Sequence, residues 1–488
     1  MRKLLVLILT ICLITSIFCI TASAIEGPAS DVVLRVRATK PNGDVVLVGD
    51  YKDIVEGWKV AMGYANDSDE MEDNGYVRII IDLYTDWKAE NGMFCKKGDG
   101  FNEGALYFDV DSKVTLNLNG HTIDRGLTES RDDGEVIYIN DDADIIINDG
   151  TIKGGYSTNG AGGIYIDDAY VTLNNVNVVG NSVSEDDGAG IGVYSGATLT
   201  MNGGSVSDNT MYNRTGCWIM YGAGIYIDDS KAYLKGVTFQ NNQGDYVYDV
   251  GAAFYAEDSM VYMDDCDVIG NGKKDNPKTG VGHYSMIYCV DTEITVKNSR
   301  FTDNGYATKL TSGNRFLPTN IFKIQESVLV MDNCKFTNNL VTHLLHIDDS
   351  KVTITNTDFR DGNSNAIYGN AEGTGNNITN CKFAIGSEEI RKIYPDTFFF
   401  DTFNAKKTYI SGLNFVNCDF GEATFNHREA ATFDDLPLEG SIVGEGSMTN
   451  ILVIISLVVS GVSIFLTVYY NKKKAAPVAA NNTTEVEE

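Results

Sequence analysis

Tyrosines, aspartates and a few basic residues recur in this 488-residue chain at intervals that chemistry could use. Tyr138, Tyr165, Tyr226, Tyr255 and Tyr288 each stand between two apolar residues, and Gly192, Lys323 and His346 hold the same place in other copies of the pattern. Alternation of period two marks a strand, so pairs such as Ile137/Ile139 and Phe254/Ala256 turn inward and the tyrosine between them turns out. Exposed tyrosines in a row make an amphipathic platform, apolar rings beside hydroxyls, suited to stacking a sugar or a partner's apolar side chain. An acidic turn follows directly, as Asp141-Asp142, Asp167-Asp168, Asp228-Asp229, Glu257-Asp258 and Asp348-Asp349. Its plain reading is a solvated turn; the sharper one is calcium, which takes clustered carboxylates. Paired carboxylates could also cleave a glycosidic bond, but so many acids make any chosen pair arbitrary. The five tyrosines are therefore the candidate ligand-binding residues. No catalytic residue, metal ligand or cofactor is assigned, with calcium the one candidate ion.

A repeat positions these residues. From Leu116 onward one pattern recurs: apolar-x-apolar, two turn residues, small-x-apolar. It reads Leu116-x-Leu118, Asn119-Gly120, His121-x-Ile123, and later Val352-x-Ile354, Thr355-Asn356, Thr357-x-Phe359. Eleven copies align on Ile123, Ile152, Val178, Val206, Phe239, Val268, Phe301, Phe336, Phe359, Phe383 and Phe420, with a mean spacing near 30 residues. The second turn residue in every copy is Gly, Asn or Asp, the types that tolerate a left-handed backbone. Short strands joined by one-residue left-handed turns bend the chain without reversing it. Repeats of this length stack into a solenoid with one long core. The expectation is an all-β chain: a parallel β-helix of about eleven coils, roughly 50 Å long at about 4.8 Å per coil.

The small position after the turn holds Cys266, Cys334, Cys381 and Cys418 where other coils carry Gly150, Ser299 or Thr357. Buried cysteine behaves there as a small hydrophobe. His121 takes the same slot in the first coil, which favours a core or capping role over catalysis. With no CxxC pair in the chain, neither a disulfide framework nor a zinc site is indicated.

The two ends read as addressed to a membrane. Arg2 and Lys3, the apolar run Leu4–Ile20 and Ala22-Ser23-Ala24 make a secretory signal over residues 1–24. Residues 450–470 form an apolar span of bilayer length, and Lys472, Lys473 and Lys474 mark residues 471–488 as a cytoplasmic tail. Between them lie an N-terminal cap at 25–105, the β-helix at 106–421 and a tether at 422–449. Within the cap, Ile54, Trp58, Ala61 and Met62 share one face of an expected helix in Asp50–Ala65. The expected location is a single-pass cell-membrane protein with an extracellular body. A formal charge of −29 excludes nucleic acid as a partner, since phosphate binding needs a basic footprint.

The Asn/Gly/Asp turn column resembles the stacked asparagine turn of pectate-lyase-like β-helices. Gly162-Gly163-Ile164, Gly188-Ala189-Gly190-Ile191 and Gly222-Ala223-Gly224-Ile225 resemble the GGAI motif of polymorphic outer-membrane adhesins. Phe239-x-x-Asn242, Phe301-x-x-Asn304 and Phe336-x-x-Asn339 resemble their FxxN motif, and Val178/Asn181, Val206/Asn209 and Val268/Asn271 keep its spacing. The resemblance covers residues 110–421 and implies a right-handed coil. It departs at the C-terminus, where those adhesins carry an outer-membrane barrel. Pectate-lyase-like enzymes work on the outward strand with calcium-binding aspartates and a basic residue, commonly arginine. Here that column holds tyrosines, while Arg214 and Arg315 lie in long loops. The Gly-His-Gly signature of polygalacturonase-like hydrolases is missing too; Val281-Gly282-His283 is a poor match. The sequence thus favours an adhesin or other binder of a polysaccharide or cell-surface partner. A polysaccharide lyase or hydrolase and a passive structural stalk are the alternatives.

Overall fold

The computed structural model describes residues 27–66, 71, 73–95, 100–102, 104–109, 111–212, 219–244, 250–272, 285–305, 320–341, 343–372, 375–384, 400–401, 413–419, 432–433 and 436–437. The expected signal, membrane span and tail, and the anchor Phe420, lie outside the described residues. Among the described residues no helix is long and apolar enough to cross a membrane.

The chain starts with an antiparallel hairpin, β1 (Leu34–Thr39) and β2 (Val45–Tyr51), followed by the helix α1 (Ile54–Ala65). Asp53 caps α1 by accepting from the Val55 and Glu56 amides. The helix turns Trp58, Ala61 and Met62 into the core, as their spacing predicts, while Ile54 stays half-buried. Trp58 packs edge-on against Trp87 and Phe108, at centroid distances of 5.4 and 5.5 Å. Its indole N–H donates to the Gly100 carbonyl at 2.9 Å. This aromatic plug closes the end of the core, which a solenoid needs.

Parallel stacking begins inside the segment expected to be cap alone. The strand β3 (Arg78–Leu83) pairs antiparallel with β1 on one side and parallel with Lys113–Asn117 on the other. Likewise β4 (Trp87–Lys88) lies parallel to Thr122–Asp124. The repeat pattern could not reveal this coil, because its turn and spacing differ from those that follow.

From there each coil lays three short strands on the coil before. In one coil these are Ile137–Asn140 and the two halves of Asp144–Lys153, which bends at Asp149. Ile123, Ile152, Val178, Val206, Phe239, Val268, Phe301 and Phe336 follow one another in strict register. Phe359 and Phe383 continue the column, their rings stacked 5.2 and 5.1 Å from the ring before. All are fully or almost fully buried. The turn column has the conformation that its residue types require. Asp149, Asn175, Asp265, Asn298, Asn333, Asn356, Asn380 and Asn417 have φ between 51° and 56°, and Gly120, Gly203 and Gly236 are also positive. Cys266, Cys334, Cys381 and Cys418 are buried in the slot read for them. His121 departs from that slot: it is half-exposed, its Nδ1 3.3 Å from Asp86 Oδ1. The Gly150 backbone packs under this coil against Leu118, which leaves no inward room for an imidazole.

The two short motifs interlock. Asn181, Asn209, Asn242, Asn271, Asn304 and Asn339 are fully buried and form an amide ladder. Each Oδ1 from Asn209 onward accepts from the backbone and side-chain N–H of the asparagine one coil before, for example Asn242 from Asn209 at 3.2 and 3.0 Å. Asp361 ends the ladder by accepting both N–H groups of Asn339, at 2.9 and 2.7 Å. The glycines of the other motif press on this ladder. A Cβ on Gly163 would lie 2.9 Å from Asn181 Nδ2, and one on Gly190 2.9 Å from Asn209 Nδ2. Buried polar groups must be satisfied, and here the repeat satisfies them coil on coil.

Candidate functional site

The outward column stacks in the register read from the sequence: Tyr138, Tyr165, Gly192, Tyr226, Tyr255, Tyr288, Lys323 and His346 pair in that order. Its exposure does not match. Tyr138, Tyr165, Tyr226 and Tyr288 are half-buried, Tyr255 is 4 % exposed, and Lys323 and His346 are 9 % exposed. The rings spend their faces on each other. Tyr138 and Tyr165 stack at 4.7 Å and 9°, and Tyr226 and Tyr255 at 5.6 Å and 3°. Stacking and burial together cover much of these rings, so a sugar has little aromatic face to lie on.

Two tyrosines of this ladder were missed in the sequence. Tyr107 precedes Tyr138, centroids 5.6 Å apart. Tyr194 fills the gap at Gly192, lying 4.8 Å from Tyr165 and 5.4 Å from Tyr226. A Cβ on Gly192 would sit 2.5 Å from the Tyr194 ring, so glycine is there to admit it. The signal was present, since residues 192 and 194 share a strand face. Lys323 Nζ then lies 4.8 Å over the Tyr288 ring and extends the stack with a cation–π contact.

Burial, followed by nearby carboxylates, raises the phenol pKa of Tyr138, Tyr165, Tyr194 and Tyr226. Tyr107 is pushed up to about 12 by burial and its bond to Asp109. These phenols stay protonated at neutral pH, as does Tyr255, which burial also raises and which donates to Glu257 at 2.8 Å; the Tyr288 hydroxyl donates to Gln325 at 2.7 Å. They are not available as general bases. Burial also lowers Lys323, and it lowers His346 to about 3 with help from Lys323, so the imidazole is neutral.

The acidic turn has a structural reason for its residue type. Asp142, Asp168, Asp229, Asp258 and Asp349 all have positive φ, from 43° to 58°. Aspartate is one of the few residues other than glycine that adopts this conformation readily. Among the described residues no group of three or more His, Cys, Asp or Glu is arranged to hold a metal ion.

Beside this turn an open groove of about 490 Å³ crosses three coils, lined by Asp229, Lys231, Asp258, Met260, Asp291 and Glu293. It borders the exterior of the second strands, where accessible apolar surface gathers. Lys231, Met260, Glu293 and Val328 form one outward row there, and Tyr233 and Tyr262 form part of the next. Tyr233 and Met260 are each 40 % exposed, ten times the exposure of Tyr255. Sequence reasoning passed over this face because its tyrosines do not recur from coil to coil.

Residues 223–388 match the family described as "Right handed beta helix region". That segment is similar to this family, and its strands stack in parallel coils. It includes the groove and the stretch of the tyrosine ladder from Tyr226 to His346. No curated protein and no solved structure matches the chain.

Proposed function

We propose that this protein is a membrane-anchored surface binder that takes an extended ligand across the acidic corner of its β-helix. The groove carries this reading: Asp229, Asp258, Asp291 and Glu293 offer hydrogen-bond acceptors, and Met260 with nearby Tyr233 offers accessible apolar surface. Carboxylates beside an exposed aromatic suit a polyhydroxylated chain, whose hydroxyls donate while its ring carbons pack. Four carboxylates against one lysine repel uronates, so the ligand class is a neutral or amino-substituted polysaccharide, not a pectin. The ladder tyrosines Tyr138, Tyr165, Tyr226, Tyr255 and Tyr288 act behind this corner as its rigid support. Membrane anchoring and an extracellular body rest on the charged and apolar patterning of the two ends.

A glycan array probed with the full-length protein in detergent, with calcium and with chelator, tests this. Retention of neutral or amino-sugar polymers that Asp258→Asn with Met260→Ser abolishes is the expected result. Preferential retention of polyuronates, or glycan shortening without retention, would overturn it in favour of a lyase or hydrolase.

A further inference from the structure

The inward slot after the asparagine turn contains cysteine in four coils, but only two of these thiols meet. Ser299 separates Cys266 from Cys334, and Thr357 separates Cys334 from Cys381. Cys381 and Cys418 have nothing between them. The pairs Thr379↔Val416 and Lys382↔Asp419 bracket them and set them opposite each other on adjacent parallel coils. Both side chains are buried in the same inward slot. Adjacent strands lie about 4.8 Å apart, inside the roughly 4.4–6.8 Å window of Cα separations that a disulfide spans. We propose that Cys381 and Cys418 are a cross-linking site, oxidised to a disulfide that fastens the last described coil to the one before it.

The position suits that role. Among the described residues Leu413–Val416 pairs on one side only, with Asn376–Thr379. A terminal repeat has one neighbour instead of two and opens first. Between the two cysteines lie 36 residues. Closing so long a loop removes much of the freedom of the opened state. The same opening admits the oxidant to thiols otherwise 1 % and 5 % exposed.

The chemistry is thiol–disulfide exchange with a small-molecule or protein disulfide as oxidant. Either thiol can lose its proton and attack first, here Cys418. Its sulfur bonds to one sulfur of the donor disulfide and expels the other as a thiol. Cys381 then loses its proton and attacks Cys418 Sγ, expelling the second donor thiol. The protein loses two hydrogens, and the donor disulfide is reduced to two thiols. The oxidising compartment rests on the extracellular reading above; the pairing does not.

The test is to incubate the purified full-length protein with oxidised glutathione, alkylate remaining thiols under denaturation, digest without reductant and map linked peptides by mass spectrometry. The expected result is one linked pair, Cys381–Cys418, loss of two alkylatable thiols, and slower proteolysis of the last coil that dithiothreitol reverses. Cys381→Ser should abolish the protection, and Cys334→Ser should leave it intact. Both thiols still alkylated, or a link from either one to Cys95, Cys217 or another cysteine, would overturn the proposal. These measurements use no glycan, so their failure is distinct from failure of the binding reading.

Discussion

Two ladders climb this β-helix, one of asparagines and one of tyrosines, and they differ in what water can reach. The asparagines from 181 to 339 are wholly buried, and each amide answers to the coil on either side. The tyrosines from 107 to 288 are partly covered and hold each other by ring contact. A dry ladder leaves no choice of role, because every unmet N–H or C=O costs free energy. A half-covered one could serve stability, binding or both. Repetition alone therefore shows that a column is built, not what it is for.

The sharpest way to break the comparison is to cut the dry ladder. Asn242→Leu keeps the volume but removes the acceptor of the Asn209 N–H, one of the two acceptors of the Asn209 amide and a donor to the Val206 carbonyl, while the backbone N–H of residue 242 still reaches Asn271 Oδ1. At roughly 1–3 kcal/mol for each of these three lost bonds, the loss should be about 3 kcal/mol or more. Chemical denaturation measures it, and a loss below about 1 kcal/mol would mean that water or a shift satisfies these groups.

The six asparagine amides carry no titratable group, whereas the buried carboxyl of Glu135 does. Glu135 is 2 % exposed, and burial pushes its carboxyl up to about 7, with Arg125 opposing and Asp133 adding to the rise. A carboxyl raised in the fold binds its proton more tightly than in the unfolded chain. The fold is therefore favoured below the ordinary carboxylate value of 4.5 and loses that stability as pH climbs to about 7. Across that window the loss is about 3 kcal/mol. His343 and His346, each lowered to about 3 by burial, act in the opposite sense below pH 6.5. The informative quantity is thus the difference between the native chain and Glu135→Gln from pH 5 to 8. A flat difference would mean that Arg125 holds Glu135 ionised.

The left-handed turns give a smaller effect. Asn356 has φ 51°, so Asn356→Val should cost about 1–3 kcal/mol, and Asn356→Gly far less. Equal melting of the two variants would show that the side-chain bond from Asn356 to Asp332, at 2.7 Å, matters more than the backbone.

What the sequence disclosed follows the same division. The turn column, the inward cysteines and the register of the tyrosines were legible, because each is enforced by a steric or polar rule that acts in every coil. The covering of the tyrosines was not, since alternation reports which way a side chain points and not what lies over it. Tyr194 slipped out of the column by two residues because Gly192 left room. The coil containing β3 and β4 was hidden by its irregular turn. The groove was invisible because Met260 and Tyr233 are single exposed residues, and one exposed apolar residue is unremarkable in a sequence.

The last test separates the two tyrosine faces and asks for the smallest change in stability. Tyr226 touches Tyr255 at 5.6 Å and Tyr194 at 5.4 Å. Tyr226→Leu keeps apolar bulk and forfeits two aromatic contacts, at roughly 0.2–1 kcal/mol each, so it should cost about 1 kcal/mol. Tyr233 is 40 % exposed, and Tyr233→Ser should change stability by no more than about 0.5 kcal/mol. Ligand retention should respond in the opposite order: kept by Tyr226→Leu, weakened by Tyr233→Ser. That crossing of effects is what a supporting ladder and a separate binding face require. If Tyr226→Leu abolishes retention with its melting unchanged, and Tyr233→Ser binds normally, then the ladder itself is the contact surface. The acidic corner would then be a row of left-handed turns and nothing more.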